Sequence, residues 1–413
     1  MSLIGYAAYS DFRDRGLAAL RRDEDGNLSF DRGLRSKGDR RLRVRILYQG
    51  QPIASDIRAS DGETEEDSVE KEILKARNSL FDEELHHELD REARNLVNQG
   101  VRCIHSSILL PYETGKQIEI TLVSHDDEAF GDVASSDPVA DAIAVALRIL
   151  LSHAHRQNLQ NRSKMPLLLR EHKPPRSIYA LIKPILEYLQ HRSYVESIQT
   201  FLDAMERTLT AAGLYLSVGT TIFSGDRGLM AFAVKHSQNS AVDHILRTMT
   251  LPLDTTVGFA FPPEPTTITI RAHTTLQPPH LGTSFYVTIE NPTPDTPMST
   301  LPPHTQLTTL PTLENHIIHL MNIFIIQSLV SNFPIWRTIS AFDKLVVRND
   351  PKTRDRETVS VNLNKAQLDL TYLREGKQKG TANWTWYGDQ LVSMEKGLVE
   401  VFGSLGGNQG GAA

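Results

Sequence analysis

The chain has 413 residues, which is enough for two or three packed domains of ordinary size. Hydrophobic residues make up 40% of the sequence and charged residues 23%, a composition that excludes a wholly disordered chain. The formal net charge of -6 argues against a chain built as a whole to bind nucleic acid. A single cysteine, Cys103, excludes a disulfide framework and an all-thiolate zinc site, so we expect a soluble protein of a reducing compartment.

The first third of the chain predicts a mixture of helix and sheet. Residues 5–22 have a helical pattern, and "NLSFD" (27–31) resembles a turn. Apolar and arginine side chains alternate in "RLRVRILY" (41–48), which predicts a half-buried strand. An acidic loop then leads into a long helix at 68–99, which Gly100 can end.

Further strands and helices follow this long helix. The segments "CIHSSILL" and "QIEITLV" predict two strands joined by a turn at Gly115. Asp137 is placed to cap the next helix, with Pro138 at its first position, where the missing N–H costs nothing. Residues 177–190 and 193–213 predict a helical hairpin that ends at Gly213.

Strand patterns dominate from residue 214 onward, with helices expected near 238–249, near 312–333 and at 389–402. Because the strands cluster instead of alternating with helices, the fold class is α+β: a helical region with a small sheet, followed by a strand-rich C-terminal α+β domain. The expected boundaries are a helical or mixed region 1–160, a linker 161–176, a C-terminal domain 177–403 with a Pro-rich connector at 291–311, and a flexible tail 404–413.

The most apolar segment, 317–330, is interrupted by His319, Asn322, Gln327 and Ser328. A membrane span needs about 20 mainly apolar residues. We therefore expect a buried or partner-facing helix there and no membrane association.

The stretch "LFDEELHHELDREAR" (80–94) raises the question of a metal site. A zincin helix needs H-E-x-x-H, and here Arg91 stands where the second histidine would be. Glycine-rich phosphate and nucleotide motifs and a G-x-S-x-G elbow are also missing from the sequence. We predict no catalytic residue, no cofactor and no metal ligand, and we interpret Cys103 as an inert core thiol.

The long helix carries two apolar stripes, about a third of a turn apart at ~100° per residue. One consists of Leu74, Phe81, Leu85, Leu89 and Leu96, and the other of Val69, Ile73, Ala76 and Leu80. Two apolar faces predict a helix wedged between neighbours, which belong either to its own chain or to a partner. Periodicity alone leaves both possibilities open.

Two other functional classes stay open at this point. The basic run 32–45 could meet phosphate, although a solvated loop and strand face also accounts for it. An enzyme with a site between the two halves could use His244, His273 or His280.

Residues 73–101 resemble the signature helix of the Mediator complex subunit 17 family. The positions that carry the resemblance are Ile73, Ala76, Arg77, Leu80, Phe81, Glu84, Leu85, Leu89, Arg91, Glu92 and Ala93. His86 departs from it, because an aromatic residue is expected there. The likeness is specific over these residues and weaker across the first 130. Family members also have an N-terminal region that has no counterpart here, so we expect a C-terminal portion of a longer protein.

The resemblance implies a non-enzymatic nuclear coregulator of transcription, a scaffold of the Mediator head module. Its expected partners are other head subunits, including small helical ones, RNA polymerase II and the general transcription machinery, in a hetero-oligomer without direct nucleic-acid contact. Phe81, Leu85 and Leu89 would be buried anchors, and Arg91 and Glu92 orienting polar contacts. With the rest of the stripe, the partner-binding residues are then Leu74, Phe81, Leu85, Leu89, Arg91, Glu92 and Leu96.

Overall fold

The structure is a computed structural model. It describes residues 18–22, 28–31, 39–56, 69–113, 115–124, 135–163, 179–219, 222–223, 253–260, 266–275, 282–291, 301–338, 345–349, 356–374, 377–387, 390–393 and 396–406. The chain forms two compact units: residues 1–190 with 238–251 (unit 1), and residues 191–237 with 252–413 (unit 2).

Unit 1 contains a hairpin and a six-stranded sheet. The hairpin pairs β1 (Ala19–Arg22) with β2 (Leu28–Asp31). The strands of the sheet are β3 (Arg40–Tyr48), β4 (Gln51–Ser55), β5 (Arg102–Ile104), β6 (Ser107–Pro111), β7 (Lys116–Ser124) and β8 (Ser135–Ser136). Their order is β5-β6-β7-β3-β4-β8, and only the β4–β8 pair is parallel.

Helices cover one face of this sheet. They are α1 (Val69–Ala93), α2 (Pro138–Ser163) and the first turns of α3 (Ile182–Ala211). Leu42, Val44 and Ile46 point from β3 into a core that α1, α2 and α3 complete. After α1, a short 3-10 helix (Val97–Gln99) ends at Gly100, which has a left-handed φ of 83°. The Asp137 side chain accepts the N–H of Val139 at 2.7 Å, so it caps α2 as predicted.

Unit 2 contains two further sheets around one core. The first has the order β10-β11-β12-β13-β14, with β9 also paired to β11: β9 (Ser217–Val218), β10 (Ile222–Phe223), β11 (Leu253–Ala260), β12 (Thr267–Thr275), β13 (Gly282–Glu290) and β14 (His304–Leu307). The second runs in sequence order: β15 (Arg337–Thr338), β16 (Leu345–Asn349), β17 (Arg356–Asn364), β18 (Gln367–Arg374), β19 (Lys377–Tyr387) and β20 (Gln390–Ser393).

Among the described residues, three helices complete unit 2: the rest of α3, α4 (Leu310–Asn332) and α5 (Leu398–Gly406). Among the described residues α4 is apolar and long enough to cross a membrane, but 61% of its most apolar window is buried within the chain. A helix inside a core meets the same criterion. The buried Asn322 accepts the N–H of Leu363 at 3.1 Å, which ties this helix to β17.

The α+β fold class is confirmed, and several elements differ from prediction. Residues 19–22 and 28–31 form strands instead of a helix and a turn; residues 5–17 lie outside the described part. The expected helical hairpin is the single helix α3, because the stretch 190–193 contains no glycine or proline to break it. The last predicted helix, 389–402, is strand at 390–393 and helix only from Leu398.

The connector 291–311 contains strand β14 and the start of α4. Most of the predicted linker 161–176 and the helix at 238–249 lie outside the described residues. Cys103 is exposed on β5, so its interpretation as a core thiol is wrong. Alternation indicated the strand but not its position at the edge of the sheet.

Candidate functional site

Helix α1 is held in place by polar side chains that bond to distant segments. Ser79 Oγ accepts the N–H of Arg40 at 2.9 Å, and Asp82 Oδ2 accepts the N–H of Leu42 at 3.0 Å. The Arg148 guanidinium of α2 donates to both oxygens of the same Asp82 carboxylate. These contacts fix α1 against the first residues of β3 and against α2.

A second cluster joins the opposite side of α1 to α2. His155 Nε2 lies 3.1 Å from Glu84 Oε1. The His155 ring meets Phe81 and Tyr179 edge-on, at centroid distances of 6.4 and 6.1 Å. The Tyr179 hydroxyl accepts a hydrogen bond from Asn158 Nδ2 at 3.0 Å. Because Asp82 and Glu84 lie on opposite sides of α1 at ~100° per residue, side chains of α2 reach both of these sides.

The end of α1 caps the start of α3. The Glu92 carboxylate accepts backbone N–H groups of Leu181 at 2.7 Å, Ile182 at 2.6 Å and Lys183 at 3.1 Å. The first N–H groups of a helix have no partner within it, and its N-terminus favours an anion. Burial raises the pKa of Glu92 above its ordinary value, and the three backbone donors oppose that rise.

Most of both apolar stripes of α1 is covered within unit 1, but Leu74 is 52% exposed. Leu85, Leu89 and Leu96 belong to the main core, whereas Ala76 and Leu80 form a small cluster with Ile73, Ala18 and Phe30 under the β1–β2 hairpin. Neighbours from the same chain therefore explain these residues of the two stripes.

The seven predicted partner-binding residues fall into three groups. Leu85 and Leu89 are completely buried, and Leu96 and Glu92 nearly so. Phe81 is half-buried at the edge of the core, and Arg91 is paired with Glu88 at 2.8 Å. Leu74 is 52% exposed, so it is the most accessible apolar residue of the set. Their role in binding a partner stays a prediction.

The histidines of the stretch 80–94 are not assembled into a metal site. His86 Nε2 donates to the carbonyl oxygen of Ser106 at 2.9 Å, and His87 is exposed. Within the described ranges, no group of three or more His, Cys, Asp or Glu side chains could hold a metal ion.

The residues of the two alternative functions are dispersed or partly outside the described ranges. Residues 32–38 of the basic run are not described, and Arg41 forms an ion pair with Asp56 at 3.0 Å. His244 and His280 also lie outside, while His273 Nδ1 is 2.7 Å from Asp254 Oδ1 on a neighbouring strand.

Sequence reasoning missed the polar contacts that position α1: Ser79, Asp82, Glu84, Arg148 and His155. The only available signal was charge inside an otherwise apolar helical pattern, such as Arg148 in "VALRILL". Buried charges need partners, so this signal indicated an ion pair without identifying the second residue.

Fold and site together define an α+β protein organised around a buried, polar-anchored helix that keeps an apolar edge near its N-terminus. A sequence model of the family described as Subunit 17 of Mediator complex matches residues 5–209, which include α1 and its polar partners. The chain belongs to the Mediator subunit 17 family.

Several fungal relatives named Mediator of RNA polymerase II transcription subunit 17 are similar to this chain. The protein of Aspergillus terreus is 37% identical over 288 residues, covering 68% of this chain and 44% of the relative. That of Aspergillus oryzae is 34% identical over 285 residues, with the same coverage of 68% and 44%. The chain thus spans less than half the length of these curated relatives.

A solved structure has a similar fold. It is entitled "Structure of the Schizosaccharomyces pombe Mediator head module", and one of its chains matches with a TM-score of 0.54 and 15% sequence identity. The match covers 74% of this chain and 65% of that chain. At this identity the likeness concerns the fold alone.

Proposed function

We propose that this chain is a non-enzymatic scaffold segment of a Mediator head module, a nuclear coregulator of transcription. It bridges regulators and RNA polymerase II through protein–protein contacts. The observation that carries this proposal is the family match over 5–209, because it spans α1 and the segments that α1 holds together. The head-module fold likeness supports it.

The proposed partners are other Mediator head subunits, including small helical ones, RNA polymerase II and the general transcription machinery, within a hetero-oligomer. A scaffold must present a fixed surface to several partners. The Asp82–Arg148 and Glu92–α3 contacts supply such rigidity in unit 1, since they tie α1 to two further helices.

The test is co-expression of this chain with the remaining subunits of a fungal Mediator head module, followed by native mass determination. We expect a stoichiometric complex. The matched control is the same chain with Leu85→Ala, which weakens the core of unit 1 and should lower the yield of folded complex. A monodisperse chain that stays separate from all head subunits would show that the proposed function is wrong.

A further inference from the structure

We propose that one edge of β19 is a docking site for an extended, acidic segment of a neighbouring head subunit, which adds a strand to the second sheet of unit 2. We call residues 377–383 of this strand the open edge. This inference rests on the proposed function for the existence of a partner subunit, and it adds the place and chemistry of one contact.

The open edge exists because β19 is longer than the strand that follows it. β19 has 11 residues, and β18 pairs with it from Lys377 to Thr385. On its other side, β20 pairs only with the stretch from Trp384 to Tyr387. Among the described residues, the open edge therefore has a paired strand on one side and none on the other.

The register of the β19–β20 hairpin shows which backbone groups face outward. Tyr387 and Gln390 are paired with only two residues between them, so they exchange both of their hydrogen bonds. Every second residue back along β19 then turns its N–H and C=O to the same side, away from β18. Past the end of β20 these residues are Asn383 and Thr381. Within the described part of the chain nothing pairs with their outward groups, so they are left to solvent.

An unpaired stretch of β3 in unit 1 gives a contrast. β4 pairs with β3 only from Arg45 onward. The N–H groups of the unpaired part are bonded to side chains of the same chain: Arg40 to Ser79, Leu42 to Asp82 and Val44 to Asp56. In the described residues, Thr381 and Asn383 have no such acceptors for their N–H groups. Their backbone is therefore free to pair with an added strand.

Lysine side chains determine which strand fits the open edge. Lys377 and Lys379 are exposed and form no ion pair with another described residue. The described carboxylates on the neighbouring strands already have partners. Glu357 of β17 lies 3.9 Å from Arg374, and Asp369 of β18 accepts a side-chain hydrogen bond at 2.7 Å. Both lysine charges therefore favour a strand that brings carboxylates of its own.

The same features disfavour a second copy of this chain as the added strand. The register between β18 and β19 shifts at Tyr372/Leu373, which leaves Lys379 without a partner in the ladder. Lysines and bulges at an edge hinder pairing between like strands. Two copies of the open edge would bring four lysines together without a carboxylate, since 377–383 contains neither Asp nor Glu. A strand that carries Asp or Glu avoids this repulsion.

The experiment uses the full chain in the co-expressed head complex. Thr381→Pro removes an outward N–H without removing a bond to β18, and proline is tolerated at such edge positions. Thr381→Ala is the matched control, because it keeps the N–H. A second variant combines Lys377→Glu with Lys379→Glu, and its control combines Lys377→Arg with Lys379→Arg. Circular dichroism checks that all variants keep the wild-type fold.

We expect Thr381→Pro and the double glutamate variant each to weaken the Kd for the remaining head subunits at least about tenfold, with both controls within about twofold of the wild type. Hydrogen exchange of the amides of 377–383 should be slower in the complex than in the chain alone. A photo-crosslinking residue at position 379 should attach to an acidic segment of another subunit, identified by mass spectrometry.

Wild-type affinity in both variants would overturn the docking site, as would crosslinks that reach only this chain or a second copy of it. Weaker binding by the double glutamate variant alone would overturn the added strand, and weaker binding by Thr381→Pro alone would overturn its acidic character. In each of these cases the wild-type chain still assembles, so the proposed function stands. Failure of the wild-type chain to assemble would overturn both proposals, so the two failures are distinguishable.

Discussion

The Glu92 carboxylate accepts the backbone N–H of Ile182 at 2.6 Å, across 90 residues of sequence. The same carboxylate accepts the N–H groups of Leu181 and Lys183, so one side chain of α1 satisfies the start of α3. Glu92 is 5% exposed, which means that no bulk water can replace it. A residue expected to orient a partner is thus also an internal helix cap.

Removing this cap should destabilise unit 1. Glu92→Ala leaves two buried and one partly buried N–H group without their acceptor, and we expect a loss of about 2–4 kcal/mol in the free energy of unfolding. Glu92→Gln keeps one acceptor oxygen and should cost about half as much. Urea unfolding monitored by circular dichroism measures both.

The control for the cap is Glu72→Ala, on an exposed position of the same helix. Its effect should stay within about 0.5 kcal/mol. Equal stability of the Glu92→Ala variant and the wild type would contradict the assignment of Glu92 as a cap.

Glu187 should make the chain less stable as the pH rises through neutrality. It is 3% exposed, and neither carboxylate oxygen has a hydrogen-bond partner in the described part of the chain. Burial raises the pKa of Glu187 from its ordinary value of 4.5 to about 7; Lys183 opposes this shift and the Glu92 charge adds to it. Between these two pH values the folded state binds more protons than the unfolded state, so stability falls as the pH rises.

Glu187→Gln removes this titration. At pH 8 the variant should be more stable than the wild type by about 1–3 kcal/mol, and the difference should shrink towards pH 4.5. Chemical unfolding at a series of pH values measures the difference. Glu196→Gln is the control, since Glu196 is exposed on the same helix. A Glu187→Gln variant that is less stable at pH 8 would refute this account.

His191 should have the opposite pH dependence. Its Nδ1 lies 2.7 Å from Thr274 Oγ1 and its Nε2 lies 2.8 Å from Thr255 Oγ1, in the core of unit 2. Burial lowers the pKa of His191 from 6.5 to about 4. The negative charge of Asp254 opposes this decrease, and the positive charge of His273 adds to it. The unfolded state therefore binds more protons between these values, and stability is lost as the pH falls from 6.5 towards 4.

His191→Gln tests this effect because glutamine can still form hydrogen bonds but does not titrate. We expect the free energy of unfolding of the variant to fall less steeply between pH 6.5 and 4 than that of the wild type. This expectation does not depend on how the substitution changes the stability at pH 7. Asn78→Gln, which changes no titratable group at an exposed position, is the control and should leave the pH profile unaltered. An unchanged slope in His191→Gln would show that another group controls the acid response.

The sequence predicts elements whose pattern is local. Alternation indicated β3, β12, β13, β17 and β18, and the cap at Asp137 located the start of α2. Prediction from local pattern failed where tertiary packing determines the secondary structure. Leu20 and Phe30 pair across β1 and β2, and Phe30 is covered by α1. A four-residue strand under a helix has too short a pattern to be distinguished from a helical turn.

The candidate site was predictable only in part. Periodicity located both stripes of α1 but not what covers them, because the same apolar pattern suits a core and an interface. The bonds of Asp82 to Arg148 and of Glu92 to Ile182 span 66 and 90 residues, so they depend on the arrangement of whole elements. The family resemblance located the helix, whereas the internal role of Glu92 needed the structure.

The leucines of one α1 stripe should differ in how much they stabilise the fold. Leu85 and Leu89 are 0% exposed and Leu74 is 52% exposed, so the same change to alanine has different consequences along one helix. Leu85→Ala and Leu89→Ala should each lower the free energy of unfolding by about 2–5 kcal/mol, because each leaves a cavity in the core of unit 1. Leu74→Ala should change it by less than about 0.5 kcal/mol.

We compare the stability of the three variants, measured by urea unfolding, with their Kd for the co-expressed head subunits. Weaker binding by Leu85→Ala or Leu89→Ala should follow the loss of stability, whereas weaker binding by Leu74→Ala should occur at full stability. If Leu74→Ala destabilised the chain as much as Leu85→Ala, Leu74 would contribute to the core and would not be an exposed partner-binding residue.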